Sequence, residues 1–380
     1  MRVSIVRCGG YNRDAVYKAV REMLAGLGGI EAFVKPGMSV YIKPNMLGRH
    51  APDEAITTHP EVVGAVARLC REAGAARVMI GDCPGGAGGE ERVRRCLETC
   101  GYDAVARRER AETVVNRQKT VRAVPGGGVA KRFELVREMA DADVLISVSK
   151  CKTHQLCAFT GAVKNLYGTI FGNDKRKYHA IYSRPTAFNQ FLIDIAETIR
   201  PALHIMDAVV GIEGPGPAAG YPRKLGALLA SASPYALDAA AVRLIGWKQS
   251  DVALLTLARE RGLLPARFGD IELVGAPLDG LRLKKPFMKP TMTGQATIRL
   301  EKLLPRPIRD ALNARPWVNR PMCVGCAECM RACPPQAIVM QDKKPVIDYE
   351  KCIRCFCCQE LCPEKAMEAK KGFFKYHPPI

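Results

Sequence analysis

The sequence of 380 residues lacks long apolar runs. No stretch approaches the ~20 apolar residues that a helix needs to cross a membrane, so we expect no transmembrane segment. The first residues also lack the apolar core and small-residue cleavage site of a secretory signal. These absences favour a globular protein of the reducing cytoplasm, where 16 cysteines would not be expected to form disulfides.

Acidic residues are scarce as well, with 38 Asp and Glu against 57 Lys and Arg. The excess of positive charge is concentrated in residues 281–315, which contain nine basic residues and only two acidic ones, Glu301 and Asp310. Such a positive field favours an anionic small-molecule substrate, an acidic redox partner protein or contact with a membrane surface, unless it is simply a solvated basic face.

Aromatic residues make up only 6% of the chain and are not interleaved with the basic residues of 281–315. No recognised nucleic-acid motif is present, so we do not expect nucleic acid as the partner. The last residues, 370–380, do combine Lys with Phe373, Phe374 and Tyr376. That tail is suited either to peripheral membrane contact or to packing against the preceding module.

Cysteine is what the chain has in abundance near its end. The spacing Cys-x2-Cys-x2-Cys-x3-Cys-Pro occurs twice between Cys323 and Pro363, which is the ligand pattern of a bacterial ferredoxin with two [4Fe-4S] clusters. Three thiolates on one tight loop cap three irons of a cubane, and the fourth iron takes the last cysteine of the other copy. A pair of zinc sites is the alternative, but three evenly spaced cysteines followed by Cys-Pro argue against it.

The crossed arrangement assigns every cysteine of the two copies to a cluster. The ligands of one are Cys323, Cys326, Cys329 and Cys362, and those of the other are Cys352, Cys355, Cys358 and Cys333. Cys357 is left over, and we interpret it as a buried free thiol. Because such clusters are damaged by oxygen, an anaerobic or low-oxygen setting is expected.

Short aliphatic runs alternate with helical patterns over the first 280 residues, which predicts an α/β domain with a largely parallel sheet flanked by helices. The candidate strands are residues 3–6, 39–42, 77–80, 144–148, 204–206, 227–230 and 271–274. The candidate helices are residues 14–27, 58–74, 188–199 and 235–244. We therefore divide the chain into an α/β domain (1–280), a basic Pro-rich connector (281–315) with a short amphipathic piece at 298–312, a small α+β ferredoxin-like domain (316–368) and a basic aromatic tail (369–380).

Polar side chains follow several candidate strands at the point where each strand ends. Ligands of open α/β sheets bind beyond the carboxyl ends of the strands, so we expect these side chains to converge on one crevice. The candidates for proton transfer and anion binding are Lys152, His154 and Lys164, and those for substrate binding are Lys43, Asn45, Asp82, Asn165 and Glu213. The alternative is structural: each lysine pairs with a carboxylate, and the acids cap strand ends and loops.

The order of these landmarks resembles the family known as domain of unknown function 362, which often occurs fused to a ferredoxin module. The matching residues are Lys43-Pro44-Asn45, Thr58 with Pro60, Gly81-Asp82, Lys152-Thr153-His154, 161–168, Asp207, 213–217 and Leu237-Asp238. The resemblance implies the fold and the fusion but no assigned activity. A fainter similarity of pattern links residues 58–82 to nickel-dependent lactate racemases, without their metal-binding histidines.

Three functions fit this pattern. The first is an iron-sulfur oxidoreductase that moves electrons between two [4Fe-4S] clusters and an anionic small molecule held in the α/β domain. The second is a non-catalytic electron carrier whose large domain docks a partner enzyme. The third is a non-redox enzyme whose clusters sense redox state or stabilise the fold. Fusion of the two modules favours the first, because it makes electron delivery intramolecular.

Overall fold

The computed structural model of the protein describes residues 1–85, 89–115, 118–126, 128–172, 174–290 and 314–370. The strands are β1 (Arg2–Arg7), β2 (Ser39–Pro44), β3 (Arg77–Ile80), β4 (Glu112–Thr113), β5 (Lys119–Ala123), β6 (Arg132–Val136), β7 (Val144–His154), β8 (Ala158–Thr160), β9 (Leu203–Glu213), β10 (Tyr221–Ser231), β11 (Glu272–Gly275), β12 (Arg315–Val318), β13 (Ile338–Gln341), β14 (Lys344–Ile347) and β15 (Met367–Lys370). The helices are α1 (Arg13–Ala25), α2 (Pro60–Glu72), α3 (Gly89–Thr99), α4 (Tyr102–Arg108), α5 (Arg137–Ala140), α6 (Ala162–Asn165), α7 (Asp174–Ile181), α8 (Pro185–Ile199), α9 (Pro234–Leu244), α10 (Ala253–Glu260), α11 (Glu328–Ala332) and α12 (Cys357–Glu360).

Nine of the described strands form one sheet in the order β11-β1-β10-β9-β7-β2-β3-β4, with β8 paired to β7. Its central pairs β9-β7, β7-β2 and β2-β3 are parallel, whereas β10 runs antiparallel to both of its neighbours. Helices cover both faces of the sheet. The prediction of a largely parallel α/β sheet is therefore confirmed.

Two hydrophobic cores flank this sheet. One is built by α1 and α2 and includes Val20, Val66 and Ile146; the other is built by α8, α9 and α10 and includes Phe191 and Leu237. Helix α2 shows how the sequence sets such an element. His59 caps its first turn by accepting a hydrogen bond from the Glu61 backbone, and Pro60 occupies its first position, where no backbone donor is needed.

Three strands are much longer than the sequence analysis predicted, and one of them is β10, which begins at Tyr221 rather than at residue 227. Residues 149–154, expected in a loop, continue β7 to His154, and β9 continues through Asp207 to Glu213. Polar residues are tolerated inside these strands because neighbouring strands supply their partners. Lys150 of β7 lies in register with Asp207 of β9, and their side chains form an ion pair of 2.8 Å.

The C-terminal part is a small α+β unit with two antiparallel strand pairs, β12-β15 and β13-β14, and two short helices. The pairing of Arg315 with Lys370 brings the two ends of the unit together. The amphipathic piece predicted at 298–312 and the tail beyond residue 370 lie outside the described residues. Within the described ranges, no helix is both long and apolar enough to cross a membrane.

The Lys150–Asp207 pair is wholly buried and lies at the centre of a polar network. The Tyr11 hydroxyl donates to Asp207 at 2.9 Å and accepts from Lys150 at 2.8 Å. The Tyr11 ring stacks on His59 at 3.7 Å, and the His59 backbone donates to Asp207 at 3.0 Å. The pair therefore links β7 and β9 to the starts of α1 and α2.

Replacing one member of a buried pair leaves an uncompensated charge. Lys150→Met is expected to lower the free energy of unfolding by about 3–5 kcal/mol, measured by urea denaturation under anaerobic conditions. Adding Asp207→Asn removes the stranded charge and should recover part of that loss. The control is Arg95→Met, which breaks the exposed pair with Glu91 and should cost less than about 1 kcal/mol. A Lys150→Met loss no larger than that of the control would contradict the account.

Candidate functional site

The eight cysteines of the duplicated spacing surround two small cavities in the C-terminal unit. Cys323, Cys326, Cys329 and Cys362 line one of them. Cys333, Cys352, Cys355 and Cys358 line the other. Each set combines three cysteines of one copy with the last cysteine of the other copy, so the backbone brings together the groups that the crossed ligand pattern requires.

The two cysteine loops also share an unusual backbone conformation. Gly325 and Arg354 adopt positive φ at equivalent positions, and so do Ala327 and Phe356. Gln336 and Lys365 do the same after the last cysteine of each copy. A left-handed residue is costly outside glycine, so its repetition at matching positions indicates that both loops are shaped for the same task. Loops of this form that present thiol groups to an enclosed apolar space fit a cubane cluster.

A third cavity, of about 100 Å³, lies between the α/β domain and the C-terminal unit. Five predicted site residues line it: Lys43, Asn45, Asp82, Lys164 and Asn165. The C-terminal unit contributes the wall formed by Cys357, Glu360 and Leu361 of α12 and its end. The cavity therefore touches the segment that carries Cys358 and leads to Cys362.

The inner part of this cavity is organised by a buried lysine. Lys43, at the end of β2, forms a 2.9 Å ion pair with Asp82 and donates to Asn165 at 3.3 Å. Asp82 also accepts from the Met46 and Cys83 backbones. Burial lowers the pKa of Lys43 from its usual value, and the Asp82 charge opposes that shift.

Gly168 is required by the closeness of this packing. A Cβ atom at that position would lie 2.4 Å from Lys43 Nζ and 2.3 Å from an Asp82 oxygen. Backbone and ion pair therefore pack without room for any side chain. The short segment after α6 is in this way fixed against the ends of β2 and β3.

Lys164 differs from the other cations of the cavity wall. Its ammonium group lies over the rings of Tyr167 (4.7 Å) and Phe188 (5.6 Å). Lys175 donates to the Cys83 carbonyl and Arg176 to the Arg331 carbonyl, and Lys43 is paired with Asp82. Among the described residues, Lys164 makes no ion pair or hydrogen bond to a carboxylate or carbonyl oxygen, although its charge lowers the pKa of the nearby Glu360.

Lys152 and His154 do not line the cavity. Lys152 is buried in β7 and donates to the Ile56 carbonyl at 2.8 Å. Burial lowers its pKa to about 7, and the charge of Glu360 partly opposes this shift. A lysine in this state is able to hold or release a proton near neutral pH.

His154 links the two parts of the chain. Its Nε2 lies 2.5 Å from a carboxylate oxygen of Glu360, and its Nδ1 accepts from the backbones of Leu156 and Cys157 at 3.0 and 3.3 Å. Because Nδ1 accepts, the ring proton belongs on Nε2, facing Glu360. Burial lowers the pKa of His154, which favours the neutral ring. His154 thus positions Glu360, which forms part of the cavity wall.

The structure does not bring Glu213 into this group. It lies at the end of β9, where one of its oxygens accepts from Arg223 at 2.8 Å and from the Met288 backbone at 2.9 Å. Its position after a predicted strand suggested the crevice. The unexpected length of β9 carries it away from the cavity wall, to a contact with the start of the basic connector.

Several lining residues escaped the sequence analysis. They are Tyr167, Lys175, Arg176, His179, Glu360 and Leu361. Lys175, Arg176 and His179 belong to α7, whose run of charged residues is typical of a solvated helix. Glu360 and Leu361 lie between two predicted cluster ligands, Cys358 and Cys362, so the sequence analysis considered only the cysteines of this segment. The one available signal was Cys357, a cysteine without a place in that pattern, and it does line the cavity.

Comparison with solved structures gives distant similarity only. The lactate racemase apoprotein from Thermoanaerobacterium thermosaccharolyticum is 16% identical with a TM-score of 0.36, over 56% of this chain and 51% of that one. A Thermotoga maritima protein is 11% identical with a TM-score of 0.35, over 55% of this chain and 52% of that one. This chain thus spans about half the length of each of these solved chains.

Sequence comparison is more specific. A 4Fe-4S dicluster domain matches residues 315–363, so the C-terminal unit is an iron-sulfur domain of the ferredoxin type. A thylakoid-associated protein of a Synechocystis strain is 33% identical over 264 residues, which make up 69% of this chain and 80% of that protein. The model of the domain of unknown function DUF362 matches residues 40–243. The chain therefore belongs to the DUF362 family and carries a ferredoxin domain at its C-terminal side.

Proposed function

We propose that this protein is an oxidoreductase that moves electrons between two [4Fe-4S] clusters and a small anionic molecule bound in the cavity between its two domains. The observation that carries the proposal is the dual role of one short segment. Cys357, Glu360 and Leu361 form a wall of the cavity, and they are the sequence neighbours of the proposed cluster ligands Cys358 and Cys362. A molecule in the cavity would therefore lie beside the iron-sulfur domain without a separate docking step.

The ligand sets are those of the crossed pattern. We call the cluster held by Cys323, Cys326, Cys329 and Cys362 the outer cluster, and the cluster held by Cys333, Cys352, Cys355 and Cys358 the inner cluster. Cys326 is exposed, whereas Cys355 and Cys358 are buried. Each cluster supplies one-electron redox chemistry, so the pair matches a substrate that gains or loses two electrons.

The charge of the cavity supports an anionic ligand. Four cationic side chains line it, Lys43, Lys164, Lys175 and Arg176, against the acids Asp82 and Glu360. Like charges brought together in a poorly hydrated space are unfavourable unless an anion compensates them. Lys164 is the natural partner of that anion, because the other three cations already donate to protein oxygens.

The size of the cavity limits the ligand. An engineered protein cavity of ~150 Å³ accommodates one benzene molecule, and this cavity measures about 100 Å³. The part of the ligand held inside the cavity is therefore limited to a few non-hydrogen atoms. The side chains of Asn45 and Asn165 line the cavity and would contact the ligand. Lys152 and His154 do not line it: Lys152 would contribute positive charge nearby, and His154 would orient Glu360.

The first test concerns the clusters. Anaerobically reconstituted protein is expected to contain about eight irons per chain. Cys329→Ala removes a ligand of the outer cluster and should lower the iron content toward about four. Cys357→Ala is the matched control, because Cys357 stands outside the ligand pattern, and it should keep the full complement. Zinc in place of iron, or equal losses in both variants, would overturn the assignment.

The second test concerns the anion. Protein purified anaerobically is expected to retain a small anion, identified by native mass spectrometry followed by denaturation. Lys164→Met removes the uncommitted cation and should reduce affinity for that anion by at least about tenfold, with iron content unchanged. Lys177→Met on α7 is the control, because Lys177 is exposed and does not line the cavity. Equal affinity in both variants, or the absence of any retained anion, would count against the proposal.

A further inference from the structure

Two polar side chains of the cavity wall have a buried atom that makes no hydrogen bond within the described part of the chain. They are Asn45, through its Oδ1, and His179, through its Nδ1. A buried polar atom without a partner costs about 1–3 kcal/mol, and in native proteins it is commonly explained by a water, an ion or a functional role. Because both residues line the same cavity, the two atoms point to a partner that the cavity receives.

The orientation of the Asn45 amide is fixed by hydrogen bonds that begin at Lys43. The Lys43 ammonium group can only donate, so the Asn165 atom that lies 3.3 Å from it is the oxygen Oδ1. The same oxygen lies 3.2 Å from Asn45, which therefore presents its NH2 group there. The NH2 group of Asn165 donates to Ser147 at 2.9 Å, which agrees with this orientation. The remaining polar atom of the Asn45 side chain is thus Oδ1, which can only accept.

His179 of α7 is held in the cavity wall by ring contacts. It is only 4% exposed, and its ring stacks on Phe188 with the centroids 4.6 Å apart and meets Tyr167 edge-on at 5.3 Å. Burial lowers the pKa of His179 to about 3, although the charge of Glu360 opposes this shift. The ring is therefore neutral near pH 7, with one nitrogen that accepts and one that donates. Stacking fixes the plane of the ring and leaves Nδ1 to a ligand.

The acids of the wall add further acceptor atoms. Glu360 lines the cavity, close enough to Lys164 for their charges to interact, and its side chain is 12% exposed. An anion composed only of acceptor oxygens could pair with Lys164, but it would also bring its lone pairs against Asn45 and Glu360. An anion that retains an O–H or N–H group satisfies both the cation and the acceptors.

We infer that the anion bound in the cavity carries an O–H or N–H group, that Asn45 Oδ1 and the His179 ring hold this group, and that Lys164 holds the negative charge. The inference rests on the proposed function, because it takes the same cavity as the anion site. It adds the class of ligand: a small acid that keeps a hydrogen-bond donor after losing its acidic proton. Such ligands are an oxyanion with one remaining hydroxyl group and a carboxylate with an amide or hydroxyl group.

Bicarbonate and nitrate are the probes that isolate the donor. They are planar ions of the same charge and similar size, and only bicarbonate has an O–H group. Their affinities are measured by anaerobic calorimetry in sealed cells, on full-length protein with oxidised clusters that has been freed of retained anion by dialysis. The measured preference is the Kd of nitrate divided by the Kd of bicarbonate. Comparing this preference between variants cancels the different hydration of the two ions.

The wild-type protein is expected to bind bicarbonate at least about tenfold more tightly than nitrate, because nitrate leaves the buried acceptor unpaired. Asn45→Leu removes that acceptor, and His179→Phe removes both ring nitrogens while keeping a ring to stack on Phe188. Each variant should reduce the preference by at least about fivefold. His179→Asn returns a polar atom near the position of Nδ1 and should restore part of it.

The matched control is His204→Phe. His204 is also buried and its Nδ1 also has no partner among the described residues, but it does not line the cavity. The control should keep the wild-type preference, and iron content identifies the variants that have folded. Lys164→Met should weaken the binding of both anions by similar factors, so equal affinities in wild type and Lys164→Met would contradict the proposed function itself. With that weakening present, the inference alone is overturned if wild type binds bicarbonate no more tightly than nitrate, or if the preference survives in Asn45→Leu or in His179→Phe.

Discussion

The structure depends on the compensation of positive charge buried at the carboxyl side of its central strands. Lys43, Lys150 and Lys152 are all fully buried, and a buried ammonium without a partner is strongly unfavourable. Lys43 is compensated by Asp82 and Lys150 by Asp207, each within the α/β domain. Within the described ranges, the direct partner of Lys152 is the Ile56 carbonyl, and the carboxylate whose charge acts on it most, Glu360, comes from the ferredoxin domain.

This arrangement couples the packing of the domains to the electrostatics of the cavity. Glu360 is oriented by His154 and lies between proposed ligands of the two clusters. The contact therefore holds α12 against the α/β domain and completes the cavity wall at the same time. Among the described residues that line the cavity, Lys164 is the cation that makes neither an ion pair nor a hydrogen bond to a protein oxygen. On this account the ligand supplies the last compensating charge, and its binding site exists only when the two domains are together.

The fold was largely predictable, because it depends on aliphatic runs and helix-capping residues that can be recognised in the sequence. Aliphatic runs of three to five residues located the strands, and those of β1 and β3 lie close to the observed bounds. Thr58, Pro60 and Gly74 marked a helix observed from Pro60 to Glu72. The ends of β7 and β9 were not predictable in this way. Lys150 and Asp207 indicate a loop when considered singly, and only their pairing across two strands, 57 residues apart in sequence, makes them compatible with a buried sheet.

The candidate site was predictable in part for a similar reason. Lys43, Asn45 and Asp82 follow parallel strands that are neighbours in the sheet, so the rule that ligands bind at carboxyl ends brings them together. Glu360 and Leu361 come from the other domain, and Lys175 and Arg176 from a helix whose charges are typical of a surface. No local pattern indicates that two domains close on each other. Glu213 shows the converse, since it follows the same local rule but is drawn away by a partner, Arg223.

The central claim is that the ligand of the cavity exchanges electrons with the clusters beside it. The most direct measurement is a single-turnover experiment with two anaerobic mixtures. In one, protein with reduced clusters is mixed with the anion recovered from it. In the other, protein with oxidised clusters is mixed with the reduced form of that anion. The account predicts a change in cluster oxidation state in one of these mixtures, with conversion of the anion in proportion and loss of the reaction in Lys164→Met. Clusters that keep their oxidation state in both mixtures, while the anion is bound, would contradict it.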